Sequence, residues 1–177
     1  MTKVAEFKLN RTKYFIFNIM SISIFIAGLI ILDFTPDRLF TLVKSHMLLS
    51  LSIPIVIVFA HEGMHAFAYK MFGAKLKLGY KYFCIYITDV SGNLFTFNQI
   101  TVIMLFPLFF ISVILFIAAC FFTNYIPFLL LAILINMAGS IGDIILSIYI
   151  ILKGRSCLIK DELNGFSLYK SNIPSSS

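Results

Sequence analysis

The chain has 177 residues, of which 60% are hydrophobic and only 12% charged, and its mean hydropathy is +0.97. That composition excludes a water-soluble globular domain and a disordered one, and points to a polytopic membrane protein. The net charge of +6 would suit nucleic acid, but the basic residues cluster at the ends of apolar runs, which makes charge a report of topology and implies no nucleic-acid partner.

Four runs are long enough to cross a hydrocarbon core of ~30 Å, which takes about 20 helical residues. The first, Tyr14 to Leu32, is too long for a signal-peptide core and is followed by no small-residue cleavage site, so it is expected to stay as a membrane helix. A short loop, Asp33 to Lys44, leads to the second span, Ser45 to Tyr69. The third runs from Gln99 to Phe122 and, after a loop at Thr123 to Pro127, the fourth covers Ile126 to Leu152. A tail from 153 to 177 ends in Pro174 to Ser177, read as frayed. Lys3, Lys8, Arg11 and Lys13 precede the first span; Lys70, Lys75, Lys77 and Lys81 follow the second; Lys153, Arg155, Lys160 and Lys170 follow the fourth. Arg38 and Lys44 alone lie opposite. Both termini and the 70 to 98 segment are therefore expected in the cytoplasm. Cys84, Cys120 and Cys157 are odd in number and suggest neither a disulfide framework nor a thiolate metal site.

Between the second and third spans, Leu76, Leu78, Tyr80, Tyr82, Cys84 and Tyr86 alternate with Lys75, Lys77, Gly79, Lys81, Phe83 and Ile85, a strand pattern. Asp89, Ser91, Gly92 and Asn93 carry turn chemistry, and Leu94 to Phe97 reads as a return strand. The expected fold is thus an all-α polytopic membrane protein, a single domain of four transmembrane helices with a short β-hairpin at about 75 to 97 between helices 2 and 3. The hairpin is either a cap over helix ends or an edge on which an extended peptide can pair.

The second span contains HEGMH, residues 61 to 65. An ionisable group at membrane depth costs at least ~2.5 kcal/mol, which makes such residues functional candidates by default. His61 and His65 lie four apart on one helix face and suit a single metal ion, zinc before other common metals. Glu62 is placed to act as general base toward a water at that ion. His46 lies fifteen residues before His61, ~22 Å along a helix, and is expected at the membrane interface instead.

Two histidines do not complete a catalytic zinc site, which generally has three protein ligands. Asp143 in the fourth span lies at a depth comparable to that of His61 and His65, ~8 to 15 Å from the cytoplasmic border. With Asn136, Gly139 and Ser140 it forms an i, i+3, i+4, i+7 stripe on a helix otherwise made of Ile and Leu. Gly139 and Ser140 would admit another helix closely. Asn136 could orient substrate backbone, support a developing oxyanion, or simply bond across helices. Pro54 and Pro107 are expected to bend the second and third spans.

These residues resemble a family. HEGMH on the second span with an Asn-to-Asp stripe on the fourth looks like the intramembrane zinc metalloproteases of the site-2 type. The four-span layout, the hairpin and GSIGD are similar to a small bacterial family described as zincin peptidases. The resemblance implies an integral protein of the bacterial cytoplasmic membrane that cleaves membrane-embedded or juxtamembrane peptides or proteins. It implies His61, His65 and Asp143 as zinc ligands, Glu62 as base and Asn136 lining the site. Site-2 proteases usually carry a proline within the Asn-to-Asp stretch and a glycine after the aspartate, whereas here NMAGSIGD is followed by Ile144. Two alternatives remain: Glu162, in KDELNG, as third ligand, and a non-catalytic accessory or immunity protein retaining a structural metal.

Overall fold

The structure is a computed structural model that describes residues 1–81, 84–163 and 165–170. Tyr82 and Phe83 of the alternating run, and Pro174 to Ser177 at the tail, lie outside the described residues.

Among the described residues, three helices are long and apolar enough to cross a membrane: α1 (Arg11–Ile31), α3 (Met47–Met71) and α4 (Phe97–Phe121). Helix α1 is mostly apolar and buries no residue, as expected of a helix whose surroundings are lipid. The loop expected at Asp33 to Lys44 contains a further helix, α2 (Pro36–Ser45). Its start and stop are ordinary ones: the Thr35 side chain accepts from the Arg38 amide, Pro36 opens the first turn beside Asp37, and Lys44 lies in the last turn.

The expected continuous fourth span is two helices, α5 (Ile126–Gly139) and α6 (Ile141–Lys153), bent by 43° at the break. Ser140 causes the break locally. Its amide and its hydroxyl both donate to the Asn136 carbonyl, at 3.0 and 2.8 Å, and such back-bonding beside a glycine bends helices. The Ala138 carbonyl, near the break, receives the Ser21 hydroxyl of α1 at 2.6 Å. Gly139 does not admit a close neighbour, since a methyl there would meet nothing within 4 Å. The close approach is at Gly28 of α1, where a methyl would collide with the Leu134 side chain of α5.

The chain is not all-α. Strands β1 (Thr2–Lys8), β4 (Leu94–Phe95), β5 (Leu158–Glu162) and β6 (Gly165–Lys170) form an antiparallel sheet in the order β1-β6-β5-β4. Gly165 permits the β1–β6 pairing, because its φ is +133° and the Phe7 carbonyl occupies the space where a Cβ would stand. The stretch expected as tail therefore holds two strands. Because three distant stretches of chain share this sheet, all three must lie on the same side of any bilayer.

The hairpin also differs from expectation. β2 (Leu76–Lys81) pairs antiparallel with β3 (Cys84–Asp89) in a sheet of their own, so the partner of β2 is β3 rather than the stretch from Leu94 to Phe97. The residues from Asp89 to Asn93 do turn, but at the base of the hairpin. The Asp89 carboxylate accepts from the amides of Lys75, Ser91 and Asn93, and the chain leaves for β4, where Phe95 lies opposite Ile159 of β5.

The chain forms two compact units. One gathers Met1–Tyr14, His65–Leu105 and the chain from Asp143 onward; Tyr69, Phe95, Ile100, Ile103, Ile150, Ile159 and Leu168 are large side chains fully buried in it. The other gathers Phe15–Met64 and Phe106–Gly142, with Ile57, Ile111 and Ala132 at its centre, packed by Ile53, Leu115 and Ile135 among others.

Candidate metal centre

Helix α3 runs unbroken through HEGMH, so His61 and His65 stand one turn apart on the same face. Both rings are buried, whereas Glu62 is half-buried and Gly63 exposed. Each ring is held through its Nδ1. His61 Nδ1 lies 3.1 Å from Asn136 Oδ1 on α5, and His65 Nδ1 lies 2.9 Å from the Ile103 carbonyl on α4.

The acceptors decide the tautomers. The Ile103 carbonyl only accepts, so His65 Nδ1 carries the proton and Nε2 the lone pair in the neutral ring. The Asn136 amide is oriented by its other side, where Nδ2 donates to the Leu108 carbonyl at 3.2 Å and to Ser112 Oγ at 3.1 Å. That leaves Oδ1 toward His61, whose proton is again on Nδ1. Metal-binding histidines are typically fixed in this way, by an acceptor at the nitrogen away from the ion.

His65 Nε2 lies 3.4 Å from Asp143 Oδ2. That exceeds the span of an ordinary N–H···O hydrogen bond, about 2.7 to 3.2 Å, and a neutral imidazole with its proton on Nδ1 has nothing to donate there. With the ring neutral, a buried imidazole lone pair faces a partly buried carboxylate, an arrangement that suits a cation. Ligands about 2.0 to 2.1 Å from a tetrahedral zinc are roughly 3.3 Å apart, close to the observed spacing. One ligand atom each from His61, His65 and Asp143 lies within 4.8 Å of the other two. The donor set, two imidazoles and a carboxylate, fits zinc by chemistry as well as by geometry.

The break in the fourth span matters here. Asp143 sits in the first turn of α6, where unsatisfied backbone amides favour a negative side chain. Asn136 and Asp143, expected on one stripe, belong to separate helices, one beside His61 and the other beside His65.

Outside the spans, Asp161 of β5 is buried, and burial pushes its carboxyl up to about 6, against hydrogen bonds that pull it down. Its Oδ2 accepts from the Tyr69 hydroxyl at 2.7 Å, the Asp89 amide at 2.8 Å and Thr88 Oγ1 at 3.1 Å. Tyr69 lies one turn beyond His65, so this carboxylate anchors the end of the histidine helix. Glu162 is held within the sheet, accepting from Ser167 Oγ at 2.7 Å. His46 closes α2 with an exposed ring edge-on to Phe128, 5.4 Å between centroids.

Sequence reasoning missed the Ile103 carbonyl, Ser112, Tyr69 and Asp161. A signal existed for the first, because Pro107 lies four residues after Ile103 and cannot donate to it. Tyr69 continues the i+4 progression from His61 and His65. Asp161 offered none, since a charged tripeptide in a basic tail reads as solvated.

Residues 54–158 match a family described as "Putative zincin peptidase". No curated protein and no solved structure matches the chain.

Proposed function

The chain belongs to this zincin peptidase family, matched over 54–158, more than half of its 177 residues, and from that premise we propose a zinc-dependent peptidase of the site-2 type. It hydrolyses membrane-embedded or juxtamembrane peptides near the cytoplasmic side of the bilayer. His61, His65 and Asp143 are the ligands, and Glu62 is the general base. The observation that carries this reading is the approach of His65 Nε2 to Asp143 Oδ2, a buried imidazole and a partly buried carboxylate that both offer electron pairs when the ring is neutral.

Zinc bound there supplies Lewis-acid polarisation and brings the pKa of water down toward ~7. The carboxylate of Glu62 takes a proton from the attacking water as its oxygen bonds to the scissile carbonyl carbon, then delivers that proton to the departing amine nitrogen as the C–N bond breaks. Asn136 and Ile103 hold Nδ1–H of the two histidines and so keep each Nε2 as the coordinating atom. With its Oδ1 and Nδ2 engaged by the protein, Asn136 acts through His61 rather than on substrate. The outer edge of β2, unpaired among the described residues, offers an extended substrate a place to pair.

Zinc analysis of detergent-purified protein tests the reading. About one equivalent is expected, lost in His61→Ala and His65→Ala and retained in Glu62→Gln. Hydrolysis should fall ~10²- to 10⁴-fold or more in Glu62→Gln. Unchanged metal content in both histidine variants would overturn the proposal.

A further inference from the structure

Pro107 lies inside α4, fully buried. A proline has no amide hydrogen, so in a helix the carbonyl four residues earlier loses its donor, and the ring pushes that carbonyl off the helix axis. Here that carbonyl belongs to Ile103, itself buried, and it is the one His65 Nδ1 approaches at 2.9 Å. A buried carbonyl needs a partner. The histidine ring supplies it.

We infer that Pro107 is a positioning residue for the metal centre: its missing N–H reserves the Ile103 carbonyl for His65 and thereby fixes that imidazole as the Nδ1–H tautomer. The inference deepens the zinc reading above and rests on it for its purpose, though not for its geometry. With alanine at 107, a helical N–H returns to compete for the carbonyl, and the carbonyl swings back toward the axis. The imidazole proton then loses its acceptor at Nδ1, and a small shift of the ring brings Nε2, 3.4 Å from Asp143 Oδ2, within hydrogen-bond range of that carboxylate. A proton held between Nε2 and Asp143 occupies the place a cation would take.

Pro54 serves as a control, because it too sits within a membrane helix but four residues after Ser50, which lies eleven residues before His61 in the chain. The chain has three histidines, so ¹⁵N-histidine labelling with His46→Gln and His61→Gln variants for assignment identifies the His65 ring.

The experiment uses full-length, metal-free protein in detergent micelles, at mildly alkaline pH where imidazoles are neutral. It reads the ¹⁵N signature of the His65 tautomer, and separately zinc affinity by competition with a chelator. The wild type is expected to show Nδ1–H. Pro107→Ala should move His65 toward Nε2–H and lower zinc affinity ~10- to 100-fold, the usual effect of losing an outer partner of a metal ligand. Replacing residue 107 by the α-hydroxy-acid counterpart of alanine, which has neither ring nor N–H, should keep both at wild-type values, as should Pro54→Ala. An unshifted tautomer with undiminished affinity in Pro107→Ala would sink the inference, and so would loss of Nδ1–H in the hydroxy-acid variant, which can be read even where Pro107→Ala does not accumulate. A wild-type chain that shows Nδ1–H yet binds no zinc would instead remove the peptidase reading and support the tautomer assignment.

Discussion

The side-chain amide of Asn136 presents its oxygen to His61 Nδ1 at 3.1 Å while its nitrogen spans two groups of α4, the Leu108 carbonyl and Ser112 Oγ. One residue thus couples the first histidine of HEGMH to two other helices. Asn136→Leu removes the acceptor while keeping the volume, and zinc affinity is expected to drop ~10- to 100-fold by chelator competition. A residue that contacted substrate would give the contrary pattern, with zinc affinity intact and kcat/KM reduced.

Asp143 and Glu162 compete for the role of third ligand, and their surroundings separate them. Asp143 faces His65, whereas Glu162 accepts from Ser167 in the sheet. Asp143→Asn should weaken zinc binding and activity together, because a neutral amide is a poorer ligand than a carboxylate. Glu162→Gln should leave zinc binding within about twofold. The reverse result, read by metal titration, would transfer the ligand to β5. If a cellular phenotype of the chain survives Glu62→Gln, the accessory or immunity class gains and the enzyme loses.

The sheet order β1-β6-β5-β4 joins stretches near residues 2–8, 94–95 and 158–170. Single-cysteine reporters at exposed positions in these stretches should share one labelling pattern, and a reporter between Thr123 and Pro127 should show the opposite one. From the lysine distribution, the shared side is expected to be the cytoplasmic one. Split labelling of the strand segments would contradict the sheet, whereas uniform labelling from outside would invert the topology.

Asp161 makes a prediction about pH. Its ordinary value of 3.8 is raised to about 6, chiefly by burial, partly offset by the Asp89 amide, Tyr69 and Thr88. Between those values the folded chain keeps a proton that the unfolded chain has released. Stability therefore falls as pH rises from about 4 to about 6 and levels off above, by up to ~3 kcal/mol. Denaturant unfolding of metal-free protein in micelles should show that slope, and Asp161→Asn should flatten it. Asp161→Ala should destabilise by about 2 to 4 kcal/mol near neutral pH, since it strands the Tyr69 hydroxyl and the Asp89 amide. A slope unaltered in Asp161→Asn would assign it to another group.

What the sequence disclosed, and what it withheld, divides along physical lines. The spans and the histidine helix follow from local features: run length, i, i+4 spacing and the cost of charge at depth. Helix α2 was equally local, with Thr35, Pro36 and Asp37 at its start, but lay within a segment read as loop. The sheet was hidden because each strand needs a partner distant in sequence, as Thr2 needs Lys170; β1 and β5 alone carry too few apolar positions to declare themselves. The hairpin reversal was misplaced because turn residues mark a turn without saying which strands it joins, and Asp89 spends its carboxylate on the base of the hairpin. The stripe from Asn136 to Asp143 was read as one helix because nothing in an apolar run shows where Ser140 will fold back on Asn136.

The pairing of β1 with β6 sets an order for biosynthesis. β1 precedes α1, α3 and α4 in the chain and β6 follows them, so β1 has no partner in this sheet until those helices have been made. The same late segment delivers Asp161, which captures Tyr69 at the end of the histidine helix. A nascent chain therefore carries HEGMH before the strand that braces the end of its helix has been made.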